Sequence, residues 1–80
     1  MTTIIGIRTE NKLNTSIKIQ NILTEFGCCI KTRLGINNYK DDDCKYDGLI
    51  LIDVPDKDKA MELKEKLGTI KNVTVKSMEF

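Results

Sequence analysis

The 80-residue chain contains no histidine. Its commonest general base near neutral pH is therefore missing, and acid–base chemistry is left to carboxylates, lysines, Tyr39, Tyr46 and the cysteines. Charge of one sign is also scarce in excess: thirteen basic residues stand against twelve acidic ones, a formal net charge of +1. A nucleic-acid module more often declares itself by a strong basic surplus. No long apolar run exists. The longest, Leu49 to Ile52, is far too short to span a membrane, and Met1 to Ile7 lacks the charged start and apolar core of a secretory leader. Three cysteines without spaced pairs argue against a secreted disulfide framework, so the expected location is the cytoplasm. No G-x-S-x-G, P-loop or G-x-G-x-x-G spacing occurs.

What is present is a short, ordinary globular composition, 40% apolar and 31% charged, which allows one domain over residues 1–80. Thr2 to Thr9 alternates, with Ile5 and Ile7 on one side and Ile4, Gly6 and Arg8 on the other, which predicts a first strand. Asn14, Thr15 and Ser16 are candidate helix caps, and Ile19, Ile22, Leu23 and Phe26 then form one amphipathic stripe. Gly27 is the expected helix stop in the left-handed conformation. From Cys28 a two-residue period sets Cys28, Ile30, Thr32, Leu34 and Ile36 against Cys29, Lys31, Arg33, Gly35 and Asn37, which predicts a second strand.

"NNYKDDDCKYDG" reads as a solvated connection, and Leu49 to Val54 as a third strand. The carboxylates of that connection lack the alternating oxygen ligands and distal glutamate of a calcium loop. Pro55 and Asp56 open a second helix with Ala60, Leu63 and Leu67 on one face, Glu62 and Lys66 spaced to pair, and Gly68 at its end. Val73 and Val75 begin a last strand. The order is βαββαβ. Two one-sided helices and four strands pack most economically as a ferredoxin-like sandwich, both helices on one face of a four-stranded antiparallel sheet.

The segments "IIGI", "ILTEFG" followed by "IKTRLGI", and "GTIKNVTVKS" together resemble the small ACT-like iron-only hydrogenase system regulators over Ile4 to Ser77. Ile22, Leu23, Phe26, Gly27, Arg33, Gly35 and Ile36 carry the resemblance. It implies an ACT-like fold, similar to the C-terminal domain of nickel-responsive regulators, and a regulatory module that assembles through its sheet or binds a small-molecule effector. The nickel site of those regulators uses imidazole and thiolate ligands and cannot form without histidine. "RTENKLNTS" lacks the turn glycine of amino-acid-binding ACT domains, and does not match the phosphate-cradling loop of acylphosphatases.

Adjacent cysteines on a strand point to opposite faces, so Cys28 is expected beneath the helices and Cys29 on the other face, with no shared metal. Helix-facing Ile5, Ile7, Ile30, Leu34, Val73 and Val75 leave Ile4, Gly6, Arg8, Cys29, Lys31, Arg33, Gly35, Thr74, Lys76 and Met78 on the uncovered face. Apolar residues occupy both parities of the third strand, so either Leu49 and Leu51 or Ile50 and Ile52 must join it.

The first and third strands carry no aromatic side chain on which a base could stack, which disfavours RNA binding by this face. The expectation is a non-catalytic regulatory module without metal or cofactor that forms a homodimer or higher oligomer through Ile4, Ile50, Ile52 and Met78. The alternative is a binding protein for an anionic metabolite or nucleic acid, held by a basic rim of Arg8, Lys31, Arg33 and Lys76.

Overall fold

A computed structural model describes residues 2–9, 13–40 and 45–80. The element order is β1 (Thr3–Thr9), α1 (Leu13–Glu25), β2 (Thr32–Lys40), β3 (Lys45–Val54), α2 (Lys57–Gly68) and β4 (Val73–Glu79). The strands form one antiparallel sheet in the order β2-β3-β1-β4. This is the expected ferredoxin-like topology, with two helices against one face.

The core grows out of β1. Its alternation is clean: Thr3, Ile5, Ile7 and Thr9 are buried, while Ile4 and Gly6 are half-buried and Arg8 is exposed. Ile5 and Ile7 meet Ile19, Leu23 and Phe26 of the first helical stripe and Ala60, Leu63 and Leu67 of the second. Asp56 caps α2, its carboxylate accepting from the backbone N–H groups of Asp58 at 2.9 Å and Lys59 at 3.3 Å. After α2, Asn72 takes the left-handed conformation with φ 66°, which asparagine tolerates better than most residues and which turns the chain into β4.

Three local expectations are corrected. The first helix begins at Leu13, so Asn14, Thr15 and Ser16 lie inside it and its cap falls outside the described residues. Gly27 does not take a left-handed conformation; instead the chain tightens into a 3-10 turn over Gly27–Cys29, with Cys29 N–H donating to Phe26 O at 2.8 Å. Lys66 pairs with Glu25 of α1 at 2.8 Å rather than with Glu62, and its Nζ lies 5.2 Å from the centroid of the Phe26 ring. The hydrogen bond to Glu25 raises the Lys66 pKa above its ordinary value. The acidic run Asp41, Asp42, Asp43 and Cys44 lies outside the described residues.

The 3-10 turn also overturns the cysteine assignment. Neither thiol lies on a strand, because β2 starts only at Thr32. A period of three replaces the expected period of two, leaving Cys28 exposed and Cys29 half-buried against the core.

Candidate functional site: the open face of the sheet

Cross-strand partners share a face, so the register assigns the uncovered side residue by residue. Ile5 is opposite Ile52, and Ile7 is opposite Ile50. Because Ile5 and Ile7 lie beneath the helices, so do these two: Ile52 is 1% exposed, and Ile50 packs partly buried against the core. The assignment of Ile50 and Ile52 to the uncovered face is therefore corrected. The opposite parity of β3 takes their place, with Leu51 opposite Gly6 and Leu49 opposite Arg8.

The same logic reverses β2. Leu34 is opposite Leu51 on the open face and 53% exposed, whereas Arg33 is opposite the buried Ile52. The Arg33 guanidinium sits on the helix side, its Nη2 donating to Gln20 Oε1 at 2.7 Å. Arg33 thus leaves the proposed basic rim. Lys31 precedes β2, exposed, and is tied by its backbone N–H to Asp53 O at 2.8 Å. Of the four cations, the register places Arg8 and Lys76 on the open face, and both are exposed.

Ile4 and Met78 are where the alternation predicts, directly opposite one another on the open face. Three rows therefore cross this surface. One holds Thr32, Asp53, Ile4 and Met78; the next holds Leu34, Leu51, Gly6 and Lys76; the third brings Leu49 beside Arg8 and Thr74. Leu34, Leu49 and Met78 are exposed, and Ile4 and Leu51 are half-buried.

Gly6 shapes the centre. A Cβ there would meet Leu51 Cδ2 at 3.5 Å, an ordinary van der Waals contact, so the Leu51 side chain lies beside the glycine. Between β2, β3 and β1 lies a shallow dimple of about 200 Å³, bounded by Ile4, Thr32, Leu34, Leu51 and Asp53. At its end Thr2 Oγ1 donates to Asp53 Oδ1. This surface suits apolar contact. No three Cys, Asp or Glu side chains come together among the described residues, and no helix among them is long and apolar enough to cross a membrane.

A family model described as "TM1266-like: Iron-only hydrogenase system regulator, putative" matches residues 1–77. Among solved structures, the uncharacterized protein TM1266 from Thermotoga maritima is similar with a TM-score of 0.79 and 26% identity, over 96% of this chain and 92% of that one. The crystal structure of the ACT domain from the GTP pyrophosphokinase of Chlorobium tepidum gives a TM-score of 0.66 at 26% identity, over 98% and 97% of the two chains. A dimeric ferredoxin-like protein of unknown function from Thermobifida fusca shares the fold with a TM-score of 0.51 at 9% identity, over 99% of this chain and 92% of that one. No curated protein matches the chain.

Proposed function

The chain belongs to the TM1266-like family of iron-only hydrogenase system regulators, and from that premise we propose that it is a non-catalytic regulatory module acting as a homodimer joined through its open sheet face. The observation that carries this reading is the cluster of Leu34, Leu51, Leu49, Ile4 and Met78 on the side the helices do not cover. Fully burying one such side chain is worth about 1.5–3 kcal/mol, and a two-fold contact covers each residue twice.

The anion-binding alternative is weakened by the fold. It required four cations on one rim, and Arg33 lies on the opposite side of the sheet. Arg8 and Lys76 remain at the margin of the apolar cluster, where they limit the patch and steer its pairing.

In the source organism, deletion of the gene should alter transcript levels of the iron-only hydrogenase system, and the wild-type chain should restore them. Leu51→Glu, which leaves the core untouched, should not. Restoration by Leu51→Glu as complete as by wild type would refute regulation through this face; unchanged transcripts on deletion would refute the regulatory role.

A further inference from the structure

β4 is an edge strand, and the phase of its ladder identifies the backbone groups it does not use. Thr2 and Phe80 exchange both bonds, Thr2 N–H to Phe80 O at 3.0 Å and Phe80 N–H to Thr2 O at 2.8 Å. Antiparallel pairs alternate between bonded and non-bonded, so in this register Met78, Lys76 and Thr74 also turn their N–H and C=O groups toward β1. Those of Val75, Ser77 and Glu79 point the other way. On that side the sheet has no further strand among the described residues.

Beside this edge a cleft of about 770 Å³ runs between β4 and the flank of α2. Ala60, Met61 and Gly68 supply its apolar part, and Met61 is 62% exposed. Two cations, Lys57 and Lys64, and two carboxylates, Glu65 and Glu79, border it. Lys64 Nζ donates to Ser77 Oγ at 2.9 Å, and among the described residues no ion pair joins any of these four charges to another. A border of balanced charge does not select a ligand of one sign. Across a two-fold axis its cations can meet the carboxylates of a second copy.

We infer that β4 pairs antiparallel with β4 of a second copy about a two-fold axis at Ser77, continuing the sheet from one chain into the next and closing the two α2 flanks over their clefts. In this register Ser77 faces the second copy's Ser77, and Glu79 lies opposite the second copy's Val75. Glu79 is then diagonal to the Ser77 that holds Lys64, within reach of that ammonium. An axis at Lys76 would instead oppose two ammonium groups directly, and an axis at Val75 would carry Glu79 away from Lys64. The edge is separate from the open face and does not depend on the face-to-face reading. Where both operate, two kinds of two-fold contact build a four-chain assembly.

The test uses Ser77→Pro, which removes an outward N–H that β1 does not need; proline is tolerated on an edge strand in that orientation. In the wild type, the amides of Val75 and Ser77 should be protected from hydrogen exchange as strongly as those of Lys76 and Met78. Ser77→Pro should retain the circular dichroism of the fold and halve the mass measured by light scattering. Glu79→Lys should also halve it, and Glu79→Lys with Lys64→Glu should restore it, a rescue that survives even if Ser77→Pro does not fold. Leu51→Glu should leave the edge amides protected, so failure of the face contact is not mistaken for failure of this one. Val75 and Ser77 amides exchanging on the order of 100-fold faster than Lys76 would overturn the inference. So would an unchanged mass for a folded Ser77→Pro protein.

Discussion

Ile52→Ala and Leu51→Ala delete the same number of carbons from neighbouring residues of β3, yet the register puts one beneath the helices and the other on the open face. Ile52 is 1% exposed and belongs to the core with Ile5, Ile7, Leu23 and Leu63. Its truncation leaves a cavity and should cost about 2–5 kcal/mol. At roughly 0.05–0.15 kcal/mol per residue, a chain of this length holds about 4–12 kcal/mol in all, so the variant loses a large fraction of it. A loss of that size lowers Tm by about 8–40 °C in a domain this small.

Leu51 leans on Gly6 at the surface, and its truncation should cost the monomer under about 1 kcal/mol. The assay is urea unfolding at low protein concentration, followed by circular dichroism, with thermal melts alongside. Equal losses for the two variants, or a larger one for Leu51→Ala, would refute the assignment of faces.

Asp56→Ala removes the α2 cap and should cost about 1 kcal/mol, read as a lower urea midpoint with an unchanged slope; no change would contradict the capping role. Cys28 should react with a thiol-alkylating reagent faster than half-buried Cys29, and site-resolved mass spectrometry showing Cys29 first would reject the 3-10 turn. The Glu25 partner raises the Lys66 pKa, so the pair's contribution is fully present below lysine's unfolded value of about 10.4 and is lost as pH rises through the higher folded value. Urea midpoints measured across this alkaline range should fall more steeply for wild type than for Glu25→Gln, and parallel curves would contradict the linkage.

The βαββαβ order was legible because each element carries one clear period: alternation over Thr3 to Thr9, and the helical stripes through Ile19, Leu23 and Phe26 and through Ala60, Leu63 and Leu67. Ile4 and Met78 followed directly from alternation. Leu49 to Ile52 is apolar in both parities, so periodicity could not choose its buried side. The choice comes from pairing with β1, a long-range fact that sets Ile52 against Ile5.

Leu34 was misplaced for a related reason. A leucine in an alternating run invites assignment to the core, but β2 is the outermost strand beyond β3, and its register follows Leu51 onto the open face. Nothing in "FGCCIK" distinguishes one tight 3-10 turn from the start of a strand. The backbone bond from Cys29 N–H to Phe26 O makes that distinction.

Light scattering on the wild type and on Leu51→Glu across the micromolar range reads assembly through the open face. The wild type should have a mass of at least about 18 kDa, twice the 9.1 kDa chain, and Leu51→Glu a smaller mass with its circular dichroism retained. A wild-type mass near 9.1 kDa throughout that range, or an undiminished mass for Leu51→Glu, would contradict it.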